Sequence, residues 1–262
     1  MLDVDATVEV LGERPRETAI LVDYDGSLSP IVERPEAAVP LTTAIDVLRG
    51  LVDVMGCVGI VSGRPLYFLL DAVPVPGLAY AGLYGLELAL DGKREVDPQV
   101  LPFLPAVAEA AEAAAAAWSG TGVGVERKAG ICLTLHYRQC EARRDEVNEF
   151  AEELADRLGL TALRTRMAIE LRPPVAVDKG TAVDALIDGM VVGAFAGDDS
   201  GDLPAFDALR RAVDDERLVR AVRIGVVSPE APPELAGAVD TVVDGPDGLL
   251  HLLEAVLARA RA

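Results

Sequence analysis

Short, uninterrupted apolar runs alternate along this chain with longer stretches whose apolar positions have helical spacing. Ala19-Ile20-Leu21-Val22 is apolar throughout and stops at Asp23, so residues 19–22 read as a strand buried on both faces. Residues 42–54 carry Ile45, Leu48, Leu51 and Val52, the spacing of one helix face. Residues 57–61 predict a second strand that ends at Ser62-Gly63-Arg64, and residues 78–90 one or two more around Gly82 and Gly85. Strands alternating with helices predict a parallel α/β sheet.

The middle of the chain follows a different pattern. Pro102 and Pro105 mark a break, and the Ala-rich residues 106–118 form a helix by propensity. Residues 123–126 and 131–137 predict a hairpin turning at Lys128-Ala129-Gly130. Residues 141–158 place Val147, Phe150, Ala151, Leu154 and Leu158 on one stripe, with Gly159 as the C-cap. Residues 168–171 are a short strand closed by Pro173-Pro174. The α/β pattern then resumes, with a helix over 180–187, a strand over 190–196, strands at 224–227 and 241–243, and a helix over 249–260. The expected architecture is a discontinuous α/β core, residues 1–100 and 174–262, interrupted by a small α+β cap, residues 101–173. No internal repeat is visible.

Composition narrows the partners. The chain has 262 residues, 51% hydrophobic and 26% charged, a globular balance. Forty-three acidic residues against 24 basic ones leave a formal net charge of −19. Such a surface repels nucleic acid and anionic lipid, so neither is an expected partner. A phosphorylated small molecule remains compatible, because a metal, a lysine and backbone N–H groups make a site locally positive. Cys57, Cys132 and Cys140 lack metal-ligand spacing and read as free thiols of a reducing compartment. The N-terminus lacks a signal peptide's basic start, and no apolar run reaches the ~18 residues of a membrane span. A cytoplasmic protein without a membrane partner, monomeric or weakly oligomeric, is expected.

Four clusters carry candidate chemistry. Asp23-x-Asp25-Gly26-Ser27 follows the first strand, at the sheet edge where open α/β folds bind ligands. Paired carboxylates there are costly unless a hard cation or a chemical task occupies them, which suggests a nucleophile and a proton carrier. Ser62-Gly63-Arg64 offers a hydroxyl and backbone N–H groups to phosphoryl oxygens, although alone it is equally a plain turn. Lys179-Gly180 sets a cation at a helix start, a position that favours a nearby anion; alone it is equally a solvated surface lysine. Gly197-Asp198-Asp199-Ser200-Gly201-Asp202 clusters three carboxylates after an apolar strand and lacks the ligand spacing of a calcium-binding helix-loop-helix.

The order of these clusters resembles the haloacid-dehalogenase-type phosphotransferase superfamily and, in detail, the trehalose-6-phosphate phosphatase family. Asp23-Tyr24-Asp25-Gly26-Ser27-Leu28-Ser29-Pro30-Ile31 is similar to that family's DYDGTLxPI, with Pro35 and Ala38 also in pattern. Ser62-Gly63-Arg64, Glu126-x-Lys128, Leu135-His136-Tyr137-Arg138 and Ile169-Glu170-Leu171-Arg172-Pro173 followed by Lys179-Gly180 also match, so the resemblance runs from about residue 18 to residue 210. Three places depart from it. Ser27 stands for Thr, Tyr84 takes a His position in Gly82–Glu87, and Asp198-Asp199-Ser200-Gly201-Asp202-Leu203 replaces DDxTDE.

The resemblance implies a Rossmann-like parallel-sheet core with an inserted cap, and a magnesium-dependent phosphoric monoester hydrolase. It implies Asp23 as nucleophile, Asp25 as acid and base, Ser62 and Lys179 on the transferring group, and Arg64 near the phosphate or bridging to the cap. Asp23, the carbonyl of Asp25 and Asp198 would hold Mg²⁺, with Asp199 or Asp202 in support. Glu126, Lys128 and Glu170 would contact the sugar, whereas His136 reads as structural and His251 as surface or packing. The implied substrate is trehalose 6-phosphate, or alternatively another sugar or pseudo-disaccharide phosphate. A non-catalytic sugar-phosphate sensor would fit better if Asp23 or Asp25 were missing, and both are present.

Overall fold

The computed structural model describes residues 2–32, 37–165, 167–228, 232 and 234–262, so Pro35 lies outside the described residues. Two compact units emerge, Met1–Glu95 with Val177–Ala262, and Val96–Ala176. The smaller unit starts before the sequence-drawn position 101 because a 3-10 turn, Pro98–Phe103, runs directly into the helix Leu104–Trp118.

The larger unit holds an eight-stranded sheet. Its strands are β1 (Thr18–Val22), β2 (Cys57–Val61), β3 (Ala79–Gly82), β4 (Glu87–Leu90) and β5 (Lys93–Val96). In the smaller unit follow β6 (Gly124–Lys128), β7 (Cys132–His136), β8 (Thr161–Thr165) and β9 (Ala168–Arg172). The larger sheet is completed by β10 (Val192–Gly197), β11 (Arg220–Val227) and β12 (Thr241–Asp244), in the order β12-β11-β10-β1-β2-β3-β4-β5. Neighbours from β12 to β3 are parallel, and β4 returns antiparallel on β3.

Side chains alternate across a strand, and here both faces are covered. Ile20, Val22, Ile60, Ala194 and Ile224 pack with Leu48, Leu51, Leu252 and Val256 on one face. Ala19, Leu21, Val61 and Phe195 pack with Val183, Leu186, Phe206 and Leu209 on the other. Double burial is why all five β1 residues are buried and why the run looked continuous rather than alternating. In β1–β10 pairing Val22 lies opposite Ala196, and the Asp23 N–H donates to the Ala196 carbonyl at 2.8 Å. Val22 also lies opposite Ile60 of β2, so the residues that follow three strands share one carboxyl edge.

The smaller unit is a four-stranded antiparallel sheet, β6-β7-β9-β8, covered by Leu104–Trp118 and Arg144–Leu158. Trp118, Leu133, Leu135, Val147, Ala151 and Ile169 form its core. Gly159 ends the second helix in the left-handed region, φ 66°, as its C-cap position required. Among the described residues, one helical stretch, Pro98–Trp118, is 21 residues long with mean hydropathy 1.4 and passes as a membrane span by length and composition. That corrects the expectation that no run would do so. Alanine is apolar enough to carry the average past Glu109 and Glu112. In the fold, Val107, Ala110, Ala111, Ala114 and Trp118 form its buried face.

Candidate active site

Asp23 leaves β1 into a turn that Gly26 makes possible. Gly26 has φ +80°, and a Cβ there would lie 2.1 Å from Asp198 Oδ2. The first acidic loop is therefore pressed onto the fourth cluster. Gly26→Ala adds backbone strain of about 1–2 kcal/mol and forces Asp198 aside. The expected result is a Tm lowered by roughly 2–8 °C with the fold retained, checked by thermal melting.

Lys179 opens the helix Lys179–Leu186, whose N-cap Asp178 accepts from the Thr181 N–H at 2.9 Å. A Cβ on Gly180 would lie 2.5 Å from the Pro204 carbonyl oxygen, so glycine is what lets this helix approach the start of Leu203–Asp214. That approach buries the Lys179 ammonium between two carboxylates, 2.9 Å from Asp23 Oδ1 and 2.6 Å from Asp202 Oδ1. Burial alone would lower the lysine's pKa, but Asp202 and then Asp23 push it well up, so it stays an ammonium.

Asp202 is fully buried and fully employed. One oxygen takes Lys179, and the other accepts from the Asp198 and Asp199 N–H groups at 2.9 and 3.1 Å. Asp198 is different, because its Oδ1 is buried and meets no hydrogen-bond partner. Burial first, then Asp202 and Asp199, push the Asp198 carboxyl up to about 7. Burial likewise pushes Asp23 well above its usual range, with Lys179 pulling the other way. Asp23, Asp198 and Asp202 each offer an oxygen within 4.8 Å of the others. Three carboxylates against one ammonium leave a formal surplus of two negative charges, which a hard divalent cation matches.

Not every expected ligand joins that group. Asp199 turns its carboxylate onto the Gly201 N–H at 2.8 Å, where it caps the short turn Ser200–Asp202. That Asx-type cap leaves it outside the group of three, and of the two alternatives for supporting the metal, Asp202 is the one within reach of Asp23 and Asp198. The Asp25 carboxylate also stands outside the triad and is held by Arg64, with Nε to Oδ2 at 2.7 Å and Nη2 to Oδ1 at 2.6 Å. Ser62 follows β2, and its Oγ accepts from the Arg64 N–H at 3.2 Å.

In the smaller unit, Lys128 Nζ donates to Glu170 Oε2 at 2.8 Å, and Thr134 Oγ1 reaches the same oxygen at 3.2 Å. Glu170 is buried, with Oε1 meeting no hydrogen-bond partner. Glu126 pairs with His136 Nε2 at 2.8 Å. His251 is exposed, and the three cysteines are free.

The trehalose-phosphatase family description matches residues 21–233. The chain belongs to that family. It is 37% identical over 204 residues to a trehalose-phosphate phosphatase of Mycobacterium marinum, covering 73% of this chain and 51% of that protein. It is 36% identical over 211 residues to an uncharacterized glycosyl hydrolase of Mycobacterium tuberculosis, covering 76% of this chain and 16% of that protein. The chain thus spans about half the length of the first of these relatives and far less of the second. In fold it is similar to the C-terminal domain of the trehalose-6-phosphate phosphatase of C. albicans, with TM-score 0.77, 20% identity and 96% of each chain covered.

Sequence reasoning had quoted Glu87 and given it no role. It is buried and accepts from the Leu66 N–H at 2.8 Å, which pins the loop carrying Ser62 and Arg64. Burial raises its pKa. A glutamate ending an otherwise apolar segment, Gly82-Leu83-Tyr84-Gly85-Leu86, was the available signal. Tyr84, the departure from the family's His, sits at φ 64° with its ring against Gly63.

Proposed function

We propose that this chain is a phosphatase that hydrolyses trehalose 6-phosphate to trehalose and phosphate. The observation that carries the reading is the buried carboxylate of Asp23 at the sheet edge, salt-bridged to Lys179 beside the unpartnered oxygen of Asp198. The residues fit a divalent cation, taken here as Mg²⁺, with Asp23 and Asp198 as donors and Asp202 as the third carboxylate in reach. When bound, the cation neutralises the carboxylates and withdraws charge from the phosphoryl oxygens.

The chain's own groups do the rest. Asp23 attacks phosphorus, and the phosphorus–sugar oxygen bond breaks. A sugar alkoxide leaves poorly, so Asp25 gives it a proton. Water then attacks the aspartyl-phosphate while Asp25 takes its proton, returning Asp23 and releasing phosphate. Lys179 and Ser62 hold the negative oxygens of the transferring group. Glu126, Lys128 and Glu170 are assigned to the sugar hydroxyls, which charged hydrogen-bonding groups suit. The partner is a small sugar phosphate, and the assigned compartment is the cytoplasm.

Phosphate release from a panel of esters tests this. Trehalose 6-phosphate is expected to be turned over with the highest kcat/KM, and equal values on glucose 6-phosphate would exclude a disaccharide site. Tyr84 and Leu203 are the departures that would favour another sugar phosphate. EDTA is expected to lower turnover by about 10²-fold or more, restored by Mg²⁺. Since the Asp198 carboxyl titrates at about 7 without a cation, Mg²⁺ must displace its proton in more acidic solution. The rise in Tm on adding Mg²⁺ is therefore larger above that pH than below it.

A further inference from the structure

We propose that Arg64 is a positioning residue for Asp25, a clamp that fixes the carboxylate which handles the leaving-group proton, rather than a grip on the substrate. The inference rests on the phosphatase reading and deepens it. Asp25 is the open member of the first loop, its side chain 38% exposed against 14% for Arg64. A carboxylate that open would rotate among solvated rotamers. Here its two oxygens accept from the two nitrogens of one guanidinium edge, Nη2 at 2.6 Å and Nε at 2.7 Å. A planar fork fixes the plane of a carboxylate as well as its distance, which a single donor does not do.

The clamp is itself braced. The guanidinium lies 4.5 Å over the Phe68 ring, and Phe68 meets Tyr24, the residue between the two aspartates, edge to face at 5.4 Å. The Arg64 N–H donates to Ser62 Oγ, and its carbonyl accepts from the Leu83 N–H at 2.9 Å. Glu87 pins Leu66 two residues on. The Arg64 side chain and its backbone are thus held from separate directions, and the rigidity passes to Asp25. The contacts tie the loop after β2 to the loop after β1.

The chemistry separates this from phosphate binding. A poor leaving group needs the Asp25 proton, whereas p-nitrophenolate leaves without one. Asp25 is also the base for hydrolysis of the aspartyl-phosphate, a step common to all esters, so the selectivity belongs to leaving-group release. There a misplaced Asp25 slows sugar esters selectively, and a lost phosphate grip slows all esters and raises the half-saturating concentration. Arg64→Lys keeps the charge and removes the fork and the stack, and Arg64→Met removes both charge and fork.

The experiment measures single-turnover rates of leaving-group release, with the chain in excess, and their concentration dependence for the unmodified chain and both variants. The substrates are p-nitrophenyl phosphate and whichever of trehalose 6-phosphate and glucose 6-phosphate the unmodified chain turns over faster. Thermal melting confirms folding. The expected result is a loss in the rate of leaving-group release on the sugar ester that exceeds the loss on the nitrophenyl ester by roughly tenfold or more in both variants, with the half-saturating concentration little changed. Asp25→Asn should show the same selectivity. Equal losses of leaving-group release on both esters, a loss confined to the half-saturating concentration, or full recovery with Lys would overturn the assignment. An unmodified chain inactive on every ester would refute the phosphatase reading itself, a distinct outcome.

Discussion

Asp23→Asn is expected to reduce phosphate release by about 10⁴-fold or more, because an amide cannot form the acyl-phosphate on which turnover depends. The side chain keeps its shape, and its oxygen can still accept from Lys179, now 2.9 Å from Asp23 Oδ1. The fold is retained. Removing one of three crowded carboxylates also relieves repulsion, so without a cation the variant melts at or above the temperature of the unmodified chain. Single-turnover phosphate release and a thermal melt in EDTA check the two halves separately. Turnover within tenfold of normal would remove Asp23 from its role.

Lys179→Met acts in the opposite direction on stability. Lys179 is the ammonium bound to both Asp23 and Asp202, and all three side chains are buried. Without it the carboxylates keep their mutual repulsion and lose their counter-charge. Breaking a buried pair in this way costs about 3–5 kcal/mol, which lowers Tm by roughly 10 °C at neutral pH. The pH dependence has a definite sign. Carboxyls raised in the folded state hold protons that the unfolded chain has released, so the folded form gains as pH falls below about 7, where Asp198 already titrates. The variant's deficit therefore shrinks toward acid pH, and its activity stays low throughout. Melting curves across pH with and without Mg²⁺ measure this, and a deficit independent of pH would show that the lysine does not compensate these carboxylates.

Legibility followed the strength of the local signal. The doubly buried β1, β2 and β10 were readable because long apolar runs ended in Asp, Ser and Gly. The helix Leu66–Ala72 went unread, since Leu66-Tyr67-Phe68-Leu69-Leu70 is apolar at every position and has no period. β5 and β8 were missed for the opposite reason. Lys93–Val96 is exposed along its length, and Thr161–Thr165 is mostly exposed at the edge of its sheet, so neither carries a buried face to mark it. The helix Leu203–Asp214 has a clear apolar face through Phe206 and Leu209 and was overlooked beside the acidic run before it.

Within the site, residue types were legible and pairings were not. Asp198, Asp199 and Asp202 look alike in sequence, yet one is left with an unpartnered oxygen, one caps a turn and one is consumed by Lys179 and two backbone amides. Arg64 reads in sequence as a residue near the phosphate or bridging to the cap, and its fork on Asp25 is visible only in the structure.

The linear chain alone determined the alternation of buried strands and helices, the acidic clusters that end those strands, and the family to which they point, because each is a local pattern of apolar spacing and turn residues. Only the tertiary structure decided which carboxylate meets Lys179, which stays open to a cation and which is clamped by arginine. Those partners lie between 3 and 156 positions apart, and strand register and the close approach of two helices at Gly180, not proximity in the chain, bring their oxygens within a few ångströms.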